Sequence, residues 1–365
     1  MGFRCGIIGL PNVGKSTLFN ALTKTAAAQA ENYPFCTIEP NVGVIVVPDP
    51  RLAAIADVSQ SAKIVPTSIT FVDIAGLVRG AADGNGLGNQ FLARIREVDV
   101  IIHVLRCFDN SDVMHVEGKV DPISDAAVVN TELMLADMAS LERRVAAIRK
   151  KPVNARKDDN ILLPVMENAL SVLQDGKPVR VLLDAPYEIG LLNSLMLLTV
   201  KPVLYVCNVD ELSIIDENEY TRRVKTMVEG CEASYIVISA KAESEIAQLS
   251  QEDALDFLQT MGLHESGLSC LIRAGYEKLG LITYFTVGPK ETRAWTIRKN
   301  TKAPQAAGVI HSDFEKHFIR ASTVSYEDYI QWGGLVAAKE AGRVREEGKE
   351  YLVQDGDIIL FRCGI

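Results

Sequence analysis

Short apolar runs alternate with polar or helix-patterned stretches through the first 120 positions. Phe3–Ile8, Val42–Val47, Ile69–Asp73 and Val98–Leu105 are rich in Ile and Val and nearly continuous in hydrophobicity. Strands buried on both faces of a mostly parallel sheet read this way, because neither face needs polar positions. Pro202–Asn208 and Ser234–Ser239 are of the same kind, each ending at a polar residue. The pattern predicts a Rossmann-like α/β domain interrupted between about 125 and 200.

The interruption is helical. Within Asp125–Lys151, Met134, Met138, Leu141, Val145 and Ile148 follow one another at spacings of 4, 3, 4 and 3. After a connection containing Pro152, Leu162, Met166, Ala169 and Leu173 repeat the 4, 3, 4 spacing. This is the seam of an antiparallel helical hairpin, with the methionines filling gaps in it. Further on, Leu281–Gly288, Ala294–Ile297 and Tyr351–Phe361 read as strands, with one helix near Ser312–Ile319. That mixture predicts a small α+β module with its own core. The expected boundaries are 1–124 and 201–279 for the α/β domain, 125–200 for the insertion and 280–365 for the last module.

Composition narrows the classes. With 48% hydrophobic and 23% charged residues, neither a disordered nor a fibrous chain fits. Thirty-eight basic against 47 acidic residues give a net charge of −9, which excludes a blanket basic surface for nucleic acid but allows a local patch. Seven cysteines without a C-x-x-C pair point to a reducing cytosol rather than a disulfide framework or zinc site. The N-terminal residues carry no signal-peptide core, and the longest uncharged apolar run, Ile189–Val200, is shorter than the roughly 20 residues that span a bilayer. A cytoplasmic protein without a membrane partner is expected.

Gly9-Leu10-Pro11-Asn12-Val13-Gly14-Lys15-Ser16-Thr17 fits G-x-x-x-x-G-K-[ST], directly after the first strand and opening a helix at Thr17–Ala28. Glycines let successive backbone N–H groups point at phosphate oxygens. Lys15 neutralises the β and γ phosphates, Ser16 offers a hydroxyl to magnesium, and the helix N-terminus adds its dipole. Asn32-Tyr33-Pro34-Phe35-Cys36-Thr37-Ile38-Glu39-Pro40 lies where a mobile first switch belongs, and Thr37 is its best-placed second magnesium ligand. Asp73-Ile74-Ala75-Gly76 closes the third strand as D-x-x-G, so Asp73 would hold a magnesium-bound water and the Gly76 N–H would sense the γ-phosphate. Gly80, Gly84, Gly86 and Gly88 mark a flexible second switch.

The base site should follow the next strands. Asn208-Val209-Asp210-Glu211 stands where a guanine-specific protein has N-K-x-D, and Ser239-Ala240-Lys241 is the base-supporting loop. Glu211 is one methylene longer than aspartate and Val209 cannot supply a lysine stem. Asn208 can still donate to N7 and accept from a 6-amino group, an adenine pattern, so ATP is expected to bind more tightly than GTP. The alternative is a degenerate guanine site.

The order GLPNVGKST, PFCTIEPN, DIAGLVRGA, NVDE and SAK, with a helical insertion and a C-terminal YFTVG…RAW module, resembles the YchF/Obg-like ATPase family. NGLGNQFL, the APQAAG to FIRA stretch and KEAG extend the resemblance over essentially all 365 residues. It implies an Obg-type P-loop NTPase domain, a helical hairpin and a C-terminal TGS (ubiquitin-like) domain. It further implies magnesium-dependent hydrolysis of ATP in preference to GTP, and association with ribosomes. By matching motif, Asn12, Val13, Gly14, Lys15, Ser16 and Thr17 bind phosphate, Ser16 and Thr37 bind magnesium, and Asn208, Val209 and Glu211 with Ser239 and Ala240 meet the base.

Two functional classes share this site: an enzyme whose turnover is the point, and a slow nucleotide-gated switch that docks on the ribosome, through its large subunit, or on RNA. Leu77 follows Gly76 where Ras-like enzymes put a water-orienting Gln, which leans toward the switch. His115, in a loop with Asp109 and Asp112, is a candidate substitute for that Gln; the alternative is a structural histidine. Asn12 either helps hold a potassium ion, as in related proteins lacking the Gln, or only stabilises its loop. Arg143, Arg144, Arg149, Lys150, Lys151, Arg156 and Lys157 cluster at the hairpin turn, either a phosphate-backbone contact or a solvated tip. Lys290, Arg293, Arg298, Lys299 and Lys302 near Trp295 form a second candidate RNA patch, and a monomer is expected. Cys36 beside Thr37 and Cys207 beside Asn208 are either redox-sensitive or buried and inert.

Overall fold

From the N-terminus, β1 (Arg4–Ile8) leads into α1 (Lys15–Ala30), followed by β2 (Ile38–Glu39), β3 (Val42–Val46), α2 (Pro50–Ser59), β4 (Ile64–Val65) and β5 (Ser68–Asp73). Next come α3 (Gly86–Arg96), β6 (Val100–Arg106), α4 (Pro122–Lys150), α5 (Asp159–Gln174), α6 (Ile189–Ser194) and β7 (Val203–Asn208). They are followed by α7 (Glu219–Glu229), β8 (Ser234–Ile238), α8 (Ala240–Ile246), α9 (Gln251–Thr260) and α10 (Gly267–Lys278). The last stretch holds β9 (Leu281–Val287), β10 (Thr292–Arg298), α11 (Ala303–Ile310), α12 (Ser312–Lys316), β11 (Phe318–Val324), α13 (Tyr326–Gln331), α14 (Leu335–Glu340), β12 (Arg345–Glu347) and β13 (Ile358–Cys363). The structure is a computed structural model that describes residues 3–30, 38–39, 41–74, 86–110, 118–152, 159–183, 189–230 and 233–364. Among the described residues no helix is long and apolar enough to cross a membrane.

The chain divides into two compact units. The first gathers Met1–Ala28, Thr37–Val44 and Thr70–Leu271, and the second Gln29–Cys36, Ile45–Ile69 and Ile272–Ile365. One sheet has the order β2-β3-β5-β1-β6-β7-β8. β1 runs parallel to β5 and β6, β6 to β7, and β7 to β8. Every residue of β6 and β7 is buried, as their unbroken hydrophobicity predicts. Parallel pairing places the C-terminal ends of these strands along one edge, where ligands bind in open α/β sheets. The register aligns Ile7 with Asp73, Ile8 with His103, and Arg106 with Asn208, which in turn pairs Ile238. The turns carrying the sequence motifs therefore leave the sheet together.

The insertion forms as its spacing predicts. Pro122 opens α4, and the Asp121 carboxylate accepts from Ile123 N and Ser124 N at 3.2 and 3.3 Å. Leu141, Val145 and Ile148 of α4 are buried with Met166, Ala169 and Leu173 of α5, while Met134, Met138 and Leu162 are half-buried against them. The Ile189–Val200 run supplies Leu192, Leu195 and Leu197 to the same core. Buried Asp137 ties this run to α4, accepting from Leu198 N at 2.9 Å and from Thr199 N at 2.8 Å.

The second unit is a sheet of order β12-β11-β13-β9-β10-β4 with a core on each face. Neighbouring β9 residues serve opposite cores: Tyr284 packs with Ala303, Ala306 and Ala307 of α11, and Phe285 with Leu52 and Ile55 of α2. Residues 45–69, expected in the α/β domain, belong instead to the second unit. Leu52 and Ile55 fill the second core, and β4 pairs with β10.

Two expectations in this unit fail. The expected strand Tyr351–Phe361 is strand only at Ile358–Cys363. Before it, Asp357 accepts from Gln354 N at 2.9 Å and from the Tyr351 hydroxyl at 2.7 Å, closing a turn in which Gly356 adopts φ +88°. The helix expected to Ile319 stops at Lys316, because Phe318, Ala321 and Val324 are drawn as a strand into the two cores. In the first unit, Gly86 and Gly88 lie in the first turn of α3.

Candidate nucleotide-binding site

The loop after β1 is shaped by close backbone approach. Gly9 adopts φ +150°, and a Cβ there would stand 2.5 Å from the Val104 carbonyl oxygen of β6. Gly14 adopts φ +97°, and its Cβ would meet Asn208 Nδ2 at 2.2 Å. Only glycine fits either place. Asn12 takes the left-handed conformation at φ 61°, which asparagine tolerates better than most residues.

Lys15, Ser16 and Asp73 meet beneath this loop. Lys15 is buried and its Nζ donates to the Leu10 carbonyl at 2.6 Å, holding the ammonium against the loop's own backbone. Burial lowers the Lys15 pKa, while the Asp73 carboxylate opposes the shift. Burial raises the Asp73 pKa, and the Lys15 charge, a hydrogen bond from Ser16 and the Arg94 charge act against it. Asp73 Oδ1 is buried and has no hydrogen-bond partner among the described residues. A carboxylate oxygen left open beside a serine hydroxyl and a lysine suits a divalent cation with its water. The residues present therefore fit magnesium.

Beside the loop lies a cavity of about 590 Å³, lined by Asn12, Gly14, Thr17, Phe108–Asn110, Asn208–Leu212 and Ser239–Lys241. The site gathers phosphate-loop and base-turn residues that lie some 200 positions apart in sequence. Asn208 has a role the sequence did not suggest. Its Nδ2 donates to the Val13 carbonyl at 2.9 Å and its Oδ1 accepts from Ala240 N at 2.9 Å, strapping the phosphate loop to the base loop. One N–H and one oxygen lone pair of the amide remain beyond these two bonds. Val209 points into the core, 3% exposed, and its N–H donates to Ile238 O at 2.9 Å. Ser239 caps α8, accepting from Ala242 N at 3.4 Å. Lys241 Nζ lies 2.9 Å from Glu211 Oε1.

Residues outside the motifs complete the walls. Arg106 is fully buried at the end of β6. Its Nε donates to Phe108 O at 3.2 Å and its Nη2 to Asn110 O at 3.0 Å, and its guanidinium lies 4.9 Å from the Phe108 ring centroid. It thus shapes the Phe108–Asn110 wall. Asn218 Nδ2 donates to Cys107 O at 2.7 Å, and the Tyr220 hydroxyl to Asp109 at 2.9 Å, fixing the same turn from α7. The signal in the sequence is an arginine closing a strand whose other residues, His103 apart, are apolar. Cys207, beside Asn208, is a buried free thiol.

Residues 281–364 match the family model YchF-GTPase_C, described as a protein of unknown function (DUF933), and residues 4–135 match that of the 50S ribosome-binding GTPases (MMR_HSR1). The chain is 52% identical to the ribosome-binding ATPase YchF of Haemophilus influenzae and 50% identical to that of Bacillus subtilis strain 168, covering 100% of each protein. The chain belongs to the YchF family. The solved structure of the Schizosaccharomyces pombe YchF GTPase superposes with a TM-score of 0.86 at 37% identity, over 99% of this chain and 98% of that one. A GTP-binding protein from Pyrococcus horikoshii OT3 shares the fold at TM-score 0.60 and 16% identity, over 99% and 100% of the two chains. The first unit thus has the P-loop nucleotide-binding fold of a YchF protein with a helical insertion, and the C-terminal α+β sheet lies in the second unit.

Thr37, Gly76, Leu77, Gly80, Gly84 and His115, and with them Cys36, Asp112, Arg156 and Lys157, lie outside the described residues. At the hairpin turn, Arg144 Nη1 donates to Leu195 O at 2.9 Å, Arg143 Nε to Ala139 O at 3.0 Å, and Arg149 pairs Glu167 at 2.8 Å. These three cations are thus engaged within the insertion. In the second unit the Arg293 guanidinium stacks 4.2 Å from the Trp295 ring centroid, and Lys302 pairs Glu350 at 2.5 Å.

Proposed function

We propose that this YchF protein is a cytoplasmic, magnesium-dependent ATPase that prefers ATP to GTP and whose nucleotide state regulates a contact with the ribosome. The observation that carries the base preference is the turn after β7, where Val209 and Glu211 replace the lysine and aspartate of a guanine site. The names of the H. influenzae and B. subtilis relatives support both ATP hydrolysis and ribosome binding.

In this reading Lys15 leaves the Leu10 carbonyl, or shares it, to neutralise charge on the transferring phosphoryl group. Ser16, Thr37 and the water held by Asp73 would hold magnesium, which when bound neutralises phosphate charge. Gly76 reports the γ-phosphate to the second switch. His115 orients the attacking water in place of the glutamine absent at Leu77, and Asn12 helps hold a potassium ion. Val13, Gly14 and Thr17 supply backbone N–H groups to the phosphates.

The ribosomal contact is assigned to the large subunit, with phosphate backbone met by the exposed Lys150 and Lys151 of the hairpin and by the C-terminal unit, read as a TGS domain. The chain acts as a monomer. A second reading, GTP preference, is favoured by the match to a GTPase family model and by the name of the S. pombe structure. Competition titration of the purified protein decides between them: a GTP dissociation constant below that for ATP sinks the adenine reading. Turnover with and without ribosomes tests the switch, and an unchanged fast rate would mark a free-standing enzyme instead.

A further inference from the structure

Glu211 and Lys241 both line the base end of the cavity but come from different turns, one after β7 and the other in the first turn of α8. Lys241 Nζ and Glu211 Oε1 are 2.9 Å apart. This hydrogen bond is the main reason the Lys241 pKa is raised, with the charges of Glu211 and Glu245 adding to it. Beside them, the Ala240 N–H is given to Asn208 Oδ1 at 2.9 Å.

Guanine asks such a site for two things: a carboxylate open to N1–H and the 2-amino group, and a donor for O6. Both candidate groups are engaged within the protein. Adenine asks for neither, because its N1 is an acceptor and it has no 2-amino group. A bare carboxylate near adenine N1 would face a lone pair and stay unpaired, whereas one already paired with an ammonium does not.

We infer that Lys241 is a specificity-determining residue of the base site, pairing with Glu211 so that guanine must break an ion pair to bind and adenine need not. The inference rests on the adenine reading above and gives it a second residue. Both side chains reach solvent, 76% and 40% exposed, so the pair is screened by salt and its effect is modest.

The test is a set of ATP and GTP dissociation constants, by competition against a fluorescent nucleotide, for the wild type, Lys241→Met, Lys241→Arg, Glu211→Gln and the double variant Glu211→Gln/Lys241→Met. Lys241→Met should move the ATP-over-GTP preference toward GTP by about two- to five-fold, the range open to an exposed pair. Lys241→Arg should keep the wild-type ratio, and Lys241→Met should have no effect in the Glu211→Gln background. The shift should shrink as salt is raised. A Lys241→Met protein with the wild-type melting temperature and the wild-type ratio overturns the inference, as does a shift that persists undiminished without Glu211. The wild-type ratio is judged separately: a GTP preference there overturns the adenine reading, whereas the change on removing Lys241 judges the ion pair.

Discussion

The phosphate end and the base end of the cavity are built alike, from turns leaving the C-terminal edge of parallel strands, yet they constrain the sequence differently. At the phosphate end the backbone itself is crowded. A Cβ at Gly9 or Gly14 would fall 2.5 or 2.2 Å from its neighbour, and Lys15 is buried under the loop. At the base end Asn208 and Val209 are buried, but the charged pair reaches out from its turns, with Lys241 76% and Glu211 40% exposed. Crowded backbone admits few sequences, so that end carries a motif shared across many nucleotide-binding proteins. Exposed side chains can be exchanged without disturbing the sheet, so base choice is free to change while phosphate binding is not.

Lys15 tests the rigid end. Replacing Lys15 by Met keeps the stem and removes the charge, and should slow single-turnover phosphate release by about 10²- to 10³-fold. A loss of only a few-fold would mean that another cation neutralises the transferring group. That result would break the contrast at its firmer side.

Asn208 joins the two ends, so it separates strap from base reader. Asn208→Ala removes the bonds to Val13 O and Ala240 N. Two buried hydrogen bonds amount to about 2 kcal/mol, so the variant should be less stable by about that much, and with the Ala240 N–H released for O6 the ATP-over-GTP ratio should move toward GTP. An unchanged ratio would show that the strap withholds no donor from guanine. Glu211→Asp is the complementary change: it should leave ATP binding near its wild-type value and strengthen GTP by about ten-fold, through recovered charge-assisted hydrogen bonds. An unchanged GTP constant would show that the extra methylene is not what excludes guanine.

The same contrast explains what could be read from the chain. β1, β3 and β5 to β8 follow from unbroken apolar runs, and the α4–α5 seam from its 4, 3, 4, 3 spacing. The phosphate loop was legible because its shape demands particular residue types. The second unit was less so. α11 is lined with alanines that give little periodic signal, and β11 follows a helix with only His317 between them. The membership of 45–69 in that unit depends on Leu52 and Ile55 meeting Phe285, a contact more than 200 positions away that no local pattern encodes. Arg106 is not legible because its role depends on the turn after β6 folding its own carbonyls, Phe108 O and Asn110 O, back onto the guanidinium.

The weakest effect lies under the phosphate loop. His103, in the middle of β6, is fully buried opposite Ile8, its Nε2 has no hydrogen-bond partner among the described residues, and its ring lies 5.4 Å from that of Tyr205. Burial, with the positive charges of Lys15 and Arg180 adding to it, pushes its pKa down to about 3. An unfolded histidine titrates near 6.5, so below that pH the unfolded chain binds a proton that the folded one refuses. Its stabilising contribution is therefore complete above about pH 6.5 and is lost as the pH falls, by about 1 kcal/mol between pH 6.5 and 5.5. Phenylalanine keeps a ring against Tyr205 and cannot titrate. Urea unfolding of the wild type and His103→Phe at pH 7.5, 6.5 and 5.5 should show a stability difference that moves in the variant's favour mainly over the acid step. Parallel pH dependence in the two proteins would place the acid sensitivity elsewhere and leave His103 as packing alone.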